Sequence, residues 1–179
     1  MITLLLWIIL LPAAVGLASY RTRSHGLRRT LWVVTAAIHF ALSITAAMQP
    51  EAAELDHWIG LDALSAIFLV LTSLLFLGAS VYGVGYVARE PVAPRPDFED
   101  GSLFKNEPES VFTGGILLLL ATMSLAIVSR HLALQWVAIE ATTLASAPLI
   151  YYHQNRRSLE AAWKYLILCS VGIAVALLG

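Results

Sequence analysis

Long apolar runs, each close to twenty residues and separated by short charged clusters, constrain this chain more than any other feature. A transmembrane helix needs about 20 consecutive mostly apolar residues. Six runs qualify: 2–20, 30–48, 61–87, 111–129, 132–152 and 161–179. In lipid an isolated strand leaves its N–H and C=O groups unsatisfied, so the runs are expected to be helices. The two-residue alternation of a barrel strand is absent. The predicted class is therefore an all-α polytopic membrane protein with one transmembrane domain over residues 1–179.

Composition agrees. Hydrophobic residues make up 59% of the 179 residues and charged ones 13%, about half the share usual in a soluble domain. This excludes an ordinary soluble enzyme and a disordered chain. The formal net charge of −1 offers no global field for nucleic acid. A lone cysteine, Cys169, excludes a disulfide framework and a cysteine-based metal or iron–sulfur site. No Walker loop, zinc spacing or catalytic triad occurs. The segment from Gly83 through Gly85 to Ala88 matches a dinucleotide-binding pattern only loosely and has no preceding strand.

The charges predict an orientation. With the N-terminus outside, the three inner loops carry Arg21, Arg23, Arg28, Arg29, Arg89, Arg95, Lys105, Arg156 and Arg157, against Arg130 alone in the outer loops. The outer loop between spans 2 and 3 is acidic, with Glu51, Glu54 and Asp56. This is the positive-inside pattern of a plasma (inner) membrane protein with inner loops 21–29, 88–110 and 153–159. The first run has no basic residue before it, which favours an uncleaved helix over a signal peptide. Segment 88–110 holds Pro91, Pro94, Pro96 and Pro108 and reads as a solvated loop. Span 6 is still apolar at Gly179, so the chain is expected to be the N-terminal piece of a longer protein.

Polar groups inside the spans carry the functional reading. Glu140 lies ~12 Å from one end of its span and ~18 Å from the other. An acid at that depth costs about 2.5–3.5 kcal/mol on insertion scales and is a functional-site hypothesis by default. Trp136 and Thr143 share its helix face, and Thr142 and Ser146 the adjacent one. Pro148 is expected to kink the helix near Leu144. Lys164 lies ~10 Å into the last span. It either snorkels to the interface beside Glu160, four residues earlier, or faces Glu140 across a helix pair. A carboxyl whose charge is set by a cation that approaches and withdraws is a proton switch. His39, in mid-span, is either a packing residue or part of a proton relay. Asp62 reads as the cap of span 3.

The stretches from Leu134 through Gln-Trp-Val-Ala-Ile to Glu140-Ala-Thr-Thr-Leu-Ala and from Ser158 through Ala-Ala-Trp to Lys164-Tyr-Leu resemble the antiporter-like membrane subunits. These comprise the large membrane subunits of respiratory complex I, the Mrp cation/proton antiporters and subunits of energy-converting hydrogenases. The wording is most similar to the F component of hydrogenase-4 and formate hydrogenlyase. The Gly60-Leu-Asp62 opening of span 3 is similar as well, with Ala63 where the family usually has Gly. The resemblance implies a proton-translocating subunit of a membrane oxidoreductase, of hydrogenase-4/formate hydrogenlyase or NADH–quinone type, with Glu140 and Lys164 as a buried relay. It implies no redox cofactor and no metal in this subunit. Its implied partners are the other membrane and peripheral subunits and the lipid bilayer, and neither nucleic acid nor a small-molecule cofactor. The family's central lysines on later helices would lie beyond Gly179. The alternatives are an Mrp-type antiporter subunit and a non-conducting scaffold.

Overall fold

The computed structural model describes residues 2–49, 54–55, 58–90, 95–96 and 103–178. Six helices form: α1 (Ile2–Arg21), α2 (His25–Ala47), α3 (Ala63–Arg89), α4 (Glu109–Val128), α5 (Leu132–Ile150) and α6 (Arg156–Leu178). All six are long and apolar enough to cross a membrane. Two antiparallel ladders of two-residue strands complete the described secondary structure. One pairs β1 (Glu54–Leu55) with β2 (Ile59–Gly60), and the other pairs β3 (Arg95–Pro96) with β4 (Leu103–Phe104). The predicted all-α polytopic class holds. The acidic loop residues Glu51 and Asp56, together with Pro91 and Pro94, lie outside the described residues.

Three helices start earlier than the apolar runs suggest, α4 by two residues, at Glu109. Helix α2 begins at His25 and not at residue 30, because Ser24 caps it and accepts from the Leu27 N–H at 3.5 Å. Helix α6 begins at Arg156 and not at 161, with the Asn155 side chain accepting from the Ser158 N–H at 2.7 Å. Hydropathy stops at the first arginine, whereas a helix stops where its last amide finds a cap. Residues Gly83 to Ala88 lie inside α3, which removes the dinucleotide-binding pattern. Pro148 sits in the last turn of α5, and the helix runs on to Ile150.

Helix α4 is the central element. It packs against α1 and α5 and also touches α2 and α3. Its close approach to α1 rests on small residues, with Ser19 of α1 buried and Gly114 of α4 beside it. A Cβ on Gly114 would lie 3.0 Å from Ser19 Oγ. Small residues let helix backbones approach where lipid supplies no hydrophobic drive between helices. On the other flank α2 packs on α3, and Trp32, fully buried, fits against Gly83. A Cβ there would meet Trp32 Cη2 at 2.6 Å. Gly83→Val should therefore destabilise the α2–α3 pair by about 1–3 kcal/mol, the usual cost of overpacking. A thermal melt of the detergent-solubilised protein checks this, with Gly78→Val, where a Cβ has open space, as the near-neutral control.

The two ends of the bundle differ. At one end Trp58 stacks on His131 with centroids 4.2 Å apart, and the Arg130 N–H bonds the Trp58 carbonyl at 2.9 Å. Asp62 caps α3 there, accepting from the Ser65 N–H at 2.8 Å. Bonds from the Ser65 side chain and backbone, aided by Arg130, hold its carboxyl below the usual carboxylate range. A folded-state pKa below the unfolded one means the cap stabilises at neutral pH and fades as pH falls through the folded value. Asp62→Ala should cost about 1 kcal/mol at pH 7. Asp62→Asn should keep most of the cap and lose its acid sensitivity below roughly pH 4. Melting curves at the two pH values read both effects.

At the opposite end the 1–2, 3–4 and 5–6 connections meet. Asn106 and His153 are joined by a backbone bridge and by a 2.8 Å side-chain bond, and the Glu107 N–H bonds the Tyr152 carbonyl at 2.8 Å. These contacts tie the end of segment 88–110 to the α5–α6 turn.

Candidate functional site

Helices α5 and α6 are antiparallel neighbours joined by a short turn, and their seam is polar. Three rungs cross it: Trp136 Nε1 donates to the Ile173 carbonyl at 3.2 Å, Ser170 Oγ donates to Glu140 Oε1 at 2.5 Å, and Ser146 Oγ pairs with Tyr165 Oη at 2.9 Å. Glu140 occupies the middle rung. Its other oxygen, Oε2, is buried and has no hydrogen-bond partner among the described residues. An acceptor buried without a partner is costly in a low-dielectric seam, and a buried water can offset that cost. Thr143, buried, and Thr142 spend their hydroxyls on the Ile139 carbonyl.

Lys164 does not meet Glu140. Its Nζ donates to Glu160 Oε1 at 2.5 Å, and its side chain is 69% exposed. Geometry explains this: six residues on α6 separate Lys164 from Ser170, and six steps leave the two side chains about 120° apart around the helix. The sequence offered two arrangements, and the structure adopts the Glu160 pair. A buried Glu–Lys contact is not made in this arrangement of α5 and α6.

His39 lies in a second buried network, where α2, α3 and α4 meet. Its Nε2 is 2.9 Å from Ser124 Oγ and its Nδ1 2.9 Å from Ser73 Oγ. Ser73 Oγ is also 2.7 Å from Ser43 Oγ and 2.7 Å from the Leu69 carbonyl. Ser43 Oγ donates to the His39 carbonyl at 2.8 Å, and Ser124 Oγ has the Leu120 carbonyl at 2.8 Å. The single hydroxyl proton of Ser73 thus has three acceptors within reach. Rotating that hydroxyl changes which one it serves without moving a heavy atom.

A third cluster gave no signal in the apolar runs. Glu109, the first residue of α4, is buried and accepts from Arg29 Nε at 2.8 Å and Arg29 Nη2 at 3.0 Å. His25 Nδ1 lies 2.7 Å from its Oε2, and Arg28 Nη1 lies 4.0 Å away. Arg28, also buried, spends Nη2 on the Thr22 carbonyl at 2.5 Å. The available signal was an acid directly after Pro108, at a helix N-terminus where negative charge is favoured. The described residues contain no group of three or more His, Cys, Asp or Glu placed to hold a metal ion.

No protein-family model matches the chain. A curated relative, a hydrogenase-4 component F homolog from Methylacidiphilum infernorum (isolate V4), is 35% identical over 119 residues, which cover 66% of this chain and 23% of the relative. The chain therefore spans about a quarter of the length of the curated relative it matches. This likeness over about two thirds of the chain's own residues, with six helices long and apolar enough to cross a membrane, supports the resemblance to the hydrogenase-4 component F-like antiporter family.

Proposed function

We propose that the chain serves as a proton-translocating membrane subunit of an oxidoreductase complex of hydrogenase-4 type, with Glu140 as the group that carries charge. One observation bears most of the weight: a mid-span carboxyl with one oxygen held by Ser170 and the other buried without a partner among the described residues. A carboxyl used only as a fastener between helices would have both oxygens matched. Ser146, Tyr165 and the Glu160–Lys164 pair lie between Glu140 and the basic end of the bundle, and would lead a proton toward that side. Lys164 then acts as the cation at the mouth of this route, and His39 as a second relay point. The nine basic residues at that end support a cytoplasmic placement and an outside N-terminus in the plasma membrane.

The complex, isolated from native membranes in mild detergent, should bring hydrogenase-type redox subunits with this chain. Inside-out vesicles should acidify when the electron donor is added and stay unchanged by a sodium gradient. Sodium-driven acidification without redox partners would instead identify an Mrp-type antiporter. Redox partners without any acidification would leave a scaffold.

A further inference from the structure

Helix α2 buries one polar-bearing side chain per turn along a single stripe: Arg28, Trp32, Thr35, His39 and Ser43. At the basic end this stripe opens on a cavity of about 510 Å³ whose wall includes Arg28, Arg29, Glu109 and Tyr152. At the other end it reaches the His39 network. Between the two, three buried polar atoms have no partner among the described residues: Arg28 Nε, Trp32 Nε1 and Thr113 Oγ1. Trp32 lies one turn beyond Arg28 on α2, and Thr113 one turn beyond Glu109 on α4. The helices touch at both levels, through Arg28 Nη1 and Glu109 Oε2 at 4.0 Å and through the Trp32 and Phe112 rings at 5.9 Å. Ser80 of α3, buried, stands one turn from the Gly83 that receives the Trp32 ring.

A seam that only fastened helices together would pair these atoms or replace them with apolar groups. Two N–H donors and a hydroxyl left open at adjacent levels are instead the partners a buried water needs. We infer that the α2–α3–α4 seam holds a file of water running from the cavity beside Glu109 to His39, a proton half-path separate from the α5–α6 seam. A proton reaching one ring nitrogen of His39 from a serine hydroxyl that water refills, with the opposite ring N–H passing to the other serine oxygen as that hydroxyl hands its own proton on to water, leaves the ring and both serines neutral with the ring tautomer exchanged. The use of the path for transport rests on the function proposed above; its hydration does not.

Radiolytic hydroxyl-radical labelling of the intact complex in ¹⁸O water tests the hydration directly. Normalised for intrinsic reactivity, Trp32 and His39 should label several-fold faster than the equally buried Leu69 and Ile8. Thr113→Val, close to isosteric, should lower both Trp32 labelling and proton transport, whereas Glu140→Gln should leave Trp32 labelling unchanged. Trp32 and His39 labelling no faster than Leu69 would mean a dry seam and overturn the inference. Full transport in Thr113→Val despite reduced labelling would overturn the proton path. Strong labelling in a complex that moves no protons would count against the proposed function and leave the water file standing.

Discussion

Glu140→Gln should lower proton translocation by about two orders of magnitude while the protein still assembles, in line with what a positioned proton-transfer group contributes. Glutamine is isosteric, and its carbonyl can still accept from Ser170 Oγ, which now holds Glu140 Oε1 at 2.5 Å. The α5–α6 seam also keeps its outer rungs, Trp136 to Ile173 and Ser146 to Tyr165. What glutamine cannot do is take up and release a proton. Glu140→Asp, one methylene shorter, should retain part of the rate, because the group still titrates but reaches Ser170 poorly. Proton uptake by vesicles, scored against the amount of assembled complex, separates transport from folding. Wild-type rates in Glu140→Gln would remove the carboxyl from the path.

The second large effect belongs to Glu109. It is the carboxylate facing Arg29, His25 and, at 4.0 Å, the buried Arg28. Removing one member of a buried charge cluster leaves the others uncompensated and costs about 3–5 kcal/mol. Glu109→Ala should fall at the lower end, near 3 kcal/mol, since the Arg29 side chain is 28% exposed and can turn outward. Glu109→Gln should lie between, retaining an acceptor for Arg29. Glu160→Ala is the comparison: its pair with Lys164 is exposed and one turn apart on a single helix, and such solvent-screened pairs add little to stability. Thermal stability of the solubilised protein should therefore drop sharply for Glu109→Ala and hardly at all for Glu160→Ala. Equal shifts would mean that the α2–α4 charge cluster does not hold the bundle together.

The helices were legible in the sequence because a bilayer imposes a length and an apolar content that local composition displays directly. Their starts were less legible. Arg28 and Arg29 look like loop residues, yet they lie in the first turns of α2 and find Glu109 on a helix eighty residues away. Glu140 stood out by its depth alone. Its partner Ser170 did not, because serine is common in apolar helices and only the register of α6 against α5 selects it. That register also decides Lys164, which an antiparallel pairing allowed to face Glu140 and which the helical repeat turns toward Glu160. The His39 network joins three helices distant in sequence, so no spacing within one span could announce Ser73 and Ser124 as its neighbours.

Infrared difference spectroscopy on the complex poised between its oxidised and reduced states tests the central claim most directly. If Glu140 gains and loses a proton during turnover, a carboxylic-acid C=O band should appear, shift in D₂O and vanish in Glu140→Gln. A band that persists unchanged in Glu140→Gln, or turnover with no carboxylic-acid signal at all, would contradict the assignment of charge transport to this residue.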